Sequence, residues 1–467
     1  MKMDGEKVLK AWREECAVFG IWGEQEAGRM AYLGLYAQQH RGQEAAGIVC
    51  LQKNGGHYEH KGFGLVGEVF QEEQLQKMEG CAAIGHVRYS TTGENQVSNI
   101  QPLTANLFTG PVALAHNGNI VNSQILKNQL KLEGAIFQGT NDTECLLHML
   151  ARHPSHNPTI CLQDALPRLE GAYSMVMLTS KMLIACRDPW GFRPLVLGRR
   201  KQADGSDAVV IASESCAFDL IGAKYEREIA PGEMFWVDVQ GEHSEFFTSP
   251  KTPTAFCVFE HVYFSRPDSL VFSESVYEAR KKMGQKLATE NPVDADIVIP
   301  VPDSGVPAAI GYSAQSGIPF ELGIIRNHYI GRTFIQPSQS IRSFGVKIKL
   351  NPQSALLKGK RVVVIDDSLV RGTTSQKIIG LVRQAGATEV HFRIASPPTT
   401  GACYYGVDTP RREQLIASHK TVEEIREFIN ADSLAYLSVE GMMEAVGGKK
   451  TGYCAACFNG EYPTSLF

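Results

Sequence analysis

Val362–Ser375 reads VVVIDDSLVRGTTS, and this stretch decides the architecture of the second half of the chain. Its run of β-branched residues predicts a strand buried on both faces. That strand delivers two adjacent carboxylates, Asp366 and Asp367, to a Ser/Gly/Thr loop and then to a helix expected to start at Gln376. In an open α/β sheet the carboxyl end of such a strand is where ligands bind. Loop amides and the hydroxyls of Thr373, Thr374 and Ser375 suit a phosphate at a helix amino terminus, and Gly372 lets backbone approach it closely. The two aspartates suit ribose hydroxyls and, directly or through water, a magnesium ion.

Around this stretch, ADIVIPVP is a second apolar strand and Ser275 to Asn291 a helical segment. Continuous Val/Ile runs between helices predict a parallel sheet covered on both faces. The first half has a different texture: short apolar runs such as PVALAHNGNI and DAVVIASES, cut by Gly, Asn and Thr, with a helix expected from Asp142 to Arg152. Gly241 to Thr254, GEHSEFFTSPKTPT, breaks that pattern with two prolines. The domain boundary is placed there, giving a first domain over 16–250 and a second over 251–467 that ends in a short helix-rich tail after Thr421. A length of 467 residues is itself more than one hydrophobic core usually holds.

The Val362–Ser375 string resembles the signature of type I phosphoribosyltransferases, whose substrate is 5-phosphoribosyl-1-pyrophosphate (PRPP). Val298 to Gly305, VIPVPDSG, is another strand ending in a turn, where Asp303, Ser304 and Gly305 offer amides and a hydroxyl to pyrophosphate. Between Glu321 and Asp366 there is no acidic residue but eight basic ones: Arg326, Arg332, Arg342, Lys347, Lys349, Lys358, Lys360 and Arg361. Mobile cations there would stabilise a departing pyrophosphate, and NHYIGRTFIQPSQSIR has the composition of a lid. The resemblance implies PRPP contacts from Asp303, Ser304, Gly305, Arg332, Lys349, Asp366, Asp367, Ser368, Arg371, Gly372, Thr373, Thr374 and Ser375, with Mg2+ held by Ser304, Asp366 and Asp367.

In the first half, Cys16 lies in REECAVFGIWG, followed by QHRGQEAAG (Gln39 to Gly47), GHVRYSTTG (Gly85 to Gly93), AHNGNI (Ala115 to Ile120) and NDTE (Asn141 to Glu144). Together these resemble the glutaminase domain of amino-terminal-nucleophile amidotransferases. Joined to the second-half motifs, the resemblance covers nearly the whole chain and is to the glutamine phosphoribosylpyrophosphate amidotransferases. It implies an α+β glutaminase domain of stacked antiparallel sheets between helices, followed by an α/β type I phosphoribosyltransferase domain. It also implies that Cys16 is the nucleophile, that Asn117 and the Gly118 amide form the oxyanion hole, and that Arg41, Arg88 and Asp142 bind glutamine. A free α-amine, with a pKa of about 7.7–8.0, would take the thiol proton. Because Cys16 is not the first residue, residues 1–15 are expected to be a propeptide that is removed.

Cys454 and Cys457 form a CAAC pair, which alone reads equally as redox-active, zinc-binding or accidental. In the iron-sulfur subgroup of the resembling family the ligands are a cysteine after the domain junction, one late in the transferase domain and a terminal CxxC. Cys257 and Cys403 match the first two, implying one 4Fe-4S cluster per subunit, although four thiolates would also suit zinc. Neither half-reaction is a redox step, so a structural role is expected. The other six cysteines, Cys50, Cys81, Cys145, Cys161, Cys186 and Cys216, read as packing residues.

Lys and Arg total 46 against 50 for Asp and Glu, a net charge of -4, which gives no reason to expect nucleic acid or anionic membrane as a partner. No apolar stretch approaches the roughly 18 residues that span a bilayer, and the opening MKMDGEKVLKAWREE is too charged for a signal peptide, so the cytosol is expected. Resemblance adds purine nucleotides as feedback inhibitors and a homo-oligomer, a tetramer. A glucosamine-phosphate synthase would share the glutaminase but has no need of DDSLVRGTTS, and a PRPP-sensing transcriptional regulator would need a basic DNA-reading domain.

Overall fold

The structure, a computed structural model, describes residues 16–89, 96–327, 349–407, 409, 412–447 and 452–464. The expected propeptide, and Arg332 and most of the expected lid, lie outside the described residues.

Among the described residues, the first domain contains two antiparallel sheets packed face to face. One runs, edge to edge, 223–228, 196–201, 207–212, 17–22, 80–88, 45–52 and 57–63. The other runs 241–246, 233–238, 182–187, 171–179, 110–120 and 103–107. Side-chain alternation along each strand builds the layers. In Ala17–Trp22, Ala17, Phe19 and Ile21 pack outward under the helix Ala27–Ala37, while Val18 points into the intersheet core with Val49, Ile84, Val176 and Val209. The second sheet buries its outer face, including Leu114, Tyr173 and Met175, beneath the helices Ser123–Leu132, Glu144–Arg152 and Pro158–Ala165. The helix expected from Asp142 begins at Glu144, with the Asp142 carboxylate ahead of it accepting from the Thr143 amide and from the Ile120 amide of a neighbouring strand.

The second domain has a four-stranded parallel sheet in the order 297–300, 361–366, 389–394 and 433–436. Val362 and Val364 face one layer and Val363 and Ile365 the other, which is why this strand is apolar at every position. Val276–Glu290 and Val306–Ser316 cover one face; Thr373–Gln384 and Val422–Ile429 cover the other. Ser275 accepts from the Glu278 amide and so caps the first of these helices where the sequence reading started it.

Two segments carry strands that the sequence reading did not place. Gly241–Phe246 is an edge strand paired with Glu233–Asp238, so the pattern break lies after it rather than within it. The tail supplies Ser433–Tyr436, a core strand, and is not only helical. At the junction, Ala255–Cys257 pairs in parallel with Gly452–Cys454, and its amides donate to the Trp190 and Phe192 carbonyls of the first domain.

Candidate active sites

Cys16 sits at the head of the central strand Ala17–Trp22, and its Sγ lies 3.4 Å from the Tyr89 carbonyl and 3.5 Å from the Tyr89 amide. Pairing of Ala17 with Val87 brings Arg88 and Tyr89 beside it. The adjacent His86 reaches across the sandwich, its Nε2 3.1 Å from the His116 carbonyl, which places Asn117 and Gly118 at the same end. Asp142 closes the group by accepting from the Ile120 amide at 2.9 Å. Segments far apart in sequence therefore meet at one end of two sheets.

Asn117 Nδ2 is a buried donor with no hydrogen-bond partner among the described residues, a costly arrangement that an incoming oxyanion would satisfy. Gly118 has φ +144°, and a Cβ there would collide with the Ala172 carbonyl, so no other residue fits. Burial alone would raise the Asp142 carboxyl. The nearby His116 and the Ile120 and Thr143 amides outweigh burial and hold it below the usual carboxylate range, charged and suited to an ammonium. Burial pushes His86 down to about 3, so its ring is neutral.

Arg41 is anchored by backbone and carboxylates. Its guanidinium is fully buried: Nε donates to the Cys16 carbonyl at 3.2 Å, Nη1 to Glu214 at 2.5 Å and to Glu260 at 2.8 Å, and Nη2 to Glu260 at 2.7 Å. Glu260 opens the π-helical turn Glu260–Phe264 of the second domain and also receives Arg193 at 3.4 Å. Glu214 would be raised by burial, but His40 and Arg41 bring it down to about 2. Sequence reading missed Glu214, Glu260 and Arg193, because nothing local marks partners 173 and 219 positions from Arg41.

In the second domain, Asp366 and Asp367 end the strand Arg361–Asp366 at the floor of a cavity of about 330 Å³. Its walls include Tyr263, Ser304, Ser368, Arg371, Gly372, Thr373, Thr374, Ser375 and Lys377. Gly372, at φ +74°, turns the chain and accepts from the Gln376 amide, so the helix starts at Thr373 and not at Gln376. The correction puts Thr373, Thr374 and Ser375 in the first turn, where amides have no intrahelical partner. Burial, then mutual repulsion with Asp367, holds the Asp366 carboxyl well above the usual range. Asp367 is raised by burial despite bonds from Ser304 and Ser368. Two such buried carboxylates beside a hydroxyl form a donor set that a hard divalent cation would neutralise.

Asp303, Gly305 and Lys349 do not line this cavity. Asp303 pairs with Arg326 at 2.5 Å on the surface. Gly305 is needed because a Cβ there would approach the Ile365 carbonyl to 2.6 Å. The Lys349 carbonyl accepts from Asn327 beside the two-stranded pairing of Ile324–Arg326 with Leu350–Pro352. Of the basic run, Arg361 is tied to Asp294 and Asp296, which is a structural use of its charge.

Cys257, Cys403, Cys454 and Cys457 line one small, mainly apolar cavity with Phe192, Phe259, Tyr405 and Tyr462. Burial pushes the Cys454 thiol up to about 12, and burial together with the other three cysteines holds Cys457 well above the usual thiol range. Four cysteine side chains around one cavity fit a thiolate-ligated group, although among the described residues no set of three His, Cys, Asp or Glu side chains is drawn in to metal-binding distance. Of the six cysteines read as packing residues, five are buried and Cys81 is exposed at the strand irregularity beside Gly80. Among the described residues no helix is long and apolar enough to cross a membrane.

Known proteins show the same two halves. The glutamine amidotransferase domain family matches residues 86–219, and the phosphoribosyl transferase domain family matches residues 273–401. The chain is 54% identical to the chloroplastic amidophosphoribosyltransferase 1 of Arabidopsis thaliana, over 97% of this chain and 79% of that protein. The solved glutamine PRPP amidotransferase of Bacillus subtilis, complexed with ADP and GMP, is 49% identical with a TM-score of 0.90, covering 97% of this chain and 98% of that one. A second solved structure, of the allosteric regulatory enzyme of purine biosynthesis, is also 49% identical, with a TM-score of 0.91 and 97% of each chain covered. With this identity sustained through both sites, the chain belongs to the amidophosphoribosyltransferase family.

Proposed function

We propose that the chain transfers ammonia from glutamine to PRPP, giving 5-phosphoribosylamine, glutamate and pyrophosphate, the committing step of purine synthesis. The observation that carries this reading is the presence, in one chain, of a thiol and an unsatisfied buried amide donor at one end of a two-sheet sandwich, and of a hydroxyl-rich loop beside two buried carboxylates.

Removal of residues 1–15 frees the Cys16 α-amine, which takes the thiol proton. Sγ attacks the glutamine amide carbon, and the oxyanion is received by Asn117 Nδ2 and the Gly118 amide. Collapse of the adduct expels ammonia and leaves a γ-glutamyl thioester, which water returns to thiol and glutamate. Arg88 holds the substrate carboxylate and Asp142 its ammonium. Arg41 acts one step back, by fixing the Cys16 carbonyl.

In the other site, Ser368 and Thr373–Ser375 bind the 5-phosphate, Asp366 and Asp367 orient the ribose, and Asp303–Gly305, Arg332 and Lys349 receive the pyrophosphate. Mg2+, held by Ser304, Asp366 and Asp367, would supply charge neutralisation to the leaving group. A 4Fe-4S cluster on Cys257, Cys403, Cys454 and Cys457 would supply a cross-link between the junction and the tail. Ammonia is a nucleophile only when unprotonated, so a closed passage joins the sites. Eleven cysteines scattered singly along the sequence, unlike the dense framework of a secreted disulfide domain, support a cytoplasmic setting. Purine nucleotides inhibit, and the working form is a homotetramer.

The test is glutaminase activity measured with and without PRPP. Strong activation by PRPP is expected, and indifference to PRPP would sink the proposal of coupled sites.

A further inference from the structure

The oxyanion strand of the first domain is not supported by that domain alone. The segment Tyr404–Gly406, which follows Cys403 in the second domain, lies directly on it. Asn119 Nδ2 donates to the Tyr404 carbonyl at 2.8 Å. Arg193, fully buried, donates through Nε and Nη2 to the Tyr405 carbonyl at 2.9 and 2.7 Å. The Tyr405 ring stacks on Phe192 at 4.1 Å, and its hydroxyl lies 2.9 Å from Thr464 Oγ1. At Gly406 the two backbones touch: with φ +105°, a Cβ there would come within 2.9 Å of both Gly118 Cα and Gly118 C. Neither Gly118 nor Gly406 has room for a side chain, so the position of one main chain sets that of the other.

Arg193 also reaches Glu260, the carboxylate that grips Arg41 and through it the Cys16 carbonyl. The nucleophile and the oxyanion strand are therefore referenced to the same buried carboxylate, which belongs to the other domain.

We propose that Tyr404–Gly406 is a positioning element for glutamine hydrolysis, with Gly406 and Asn119 as positioning residues that hold Asn117 and Gly118 where the oxyanion forms. This rests on the assignment of Asn117 and Gly118 to the oxyanion hole. Neither positioning residue is assigned to glutamine binding. Their effect should therefore appear in turnover and in affinity for a tetrahedral adduct, and not in substrate affinity.

The experiment compares Gly406→Ala, Asn119→Ala and Asn117→Ala in the full-length enzyme. It measures glutamine hydrolysis, PRPP amination by added ammonia, and binding of glutamate and of glutamate γ-semialdehyde, whose adduct with Cys16 carries an oxyanion. Gly406→Ala should lower glutaminase kcat by about 10²-fold, the scale of one lost oxyanion donor, and weaken the aldehyde by a similar factor. KM for glutamine and glutamate affinity should stay within about threefold, with ammonia-dependent amination intact. Asn119→Ala, a milder change at a more exposed site, should lower kcat by roughly three- to tenfold with the same selectivity, and it decides the matter if Gly406→Ala does not fold. Normal turnover in both variants with Asn117→Ala inactive would overturn the positioning role alone, as would a fall in kcat without loss of aldehyde affinity. Normal turnover in Asn117→Ala would overturn the oxyanion assignment beneath it.

Discussion

The two active sites are built on opposite plans. The site around Asp366 and Asp367 comes mostly from one continuous run, strand to loop to helix, and leaves charged and hydroxyl groups facing an open cavity. The site around Cys16 is assembled from segments on both sheets, deeply buried and locked by groups from the other domain. Their electrostatics are reversed as well. Around Cys16 the buried acids are held below their usual range by cations and amide donors. The transferase aspartates are raised by burial and proximity. A glutaminase site must present a fixed geometry to an oxyanion, so its charges are satisfied internally. A site that binds a magnesium-borne polyphosphate keeps unsatisfied charge for its ligand.

The sharpest way to break this comparison is at the central residue of each site. Cys16→Ala should lower glutamine-dependent amination by roughly 10³-fold or more while ammonia-dependent amination continues; equal loss of both in paired assays would mean the sites do not work separately. Asp366→Asn should lower amination from either nitrogen source by about 10²-fold.

Stability gives the next test. Glu214→Gln removes one of the two buried carboxylates that hold Arg41, leaving Glu260 alone with it, and should cost roughly 1–3 kcal/mol in denaturant unfolding; a cost below about 1 kcal/mol would mark the cluster as dispensable packing. pH separates the two plans by sign. The Glu214 pKa falls on folding from 4.5 to about 2, so its stabilisation is complete above 4.5 and is lost as pH falls toward 2. His86, lowered to about 3, adds loss as pH falls from 6.5. The raised Asp366 and Asp367 work the other way: their folded forms retain protons longer, so stability declines as pH rises past 3.8 through the raised values. Asp366→Asn should flatten that declining limb in thermal melts without Mg2+ and leave the acid limb untouched. The smallest effect belongs to Arg326→Ala, which removes an exposed pair with Asp303 and should change unfolding free energy by less than about 1 kcal/mol.

Legibility in the sequence followed the same divide. Val362–Ser375 announced its strand, loop and helix because all the parts are contiguous, and only the helix start was displaced, by the turn at Gly372. Ala115–Ile120 and Asn141–Glu144 were readable as a constellation, but the carboxylate partners of Arg41 were not. An arginine in QHRGQ carries no local sign of a carboxylate 219 positions away. Gly241–Phe246 was hidden because an exposed edge strand carries few apolar residues, with burial confined to its partner. Ser433–Tyr436 was hidden because four residues are too few to show a period.

The junction has a consequence in time. Ala255–Cys257 finds its strand partner only at Gly452–Cys454, where the flanking Thr254 and Gly452 lie 198 positions apart. At ribosomal speeds of about 5–20 residues per second, that interval lasts roughly 10–40 s, during which a nascent chain carries an open strand edge and an uncovered Cys257 thiol. The thiol cavity is thus among the last parts of the fold to close, and its cysteines meet the redox state of the cell before they meet one another.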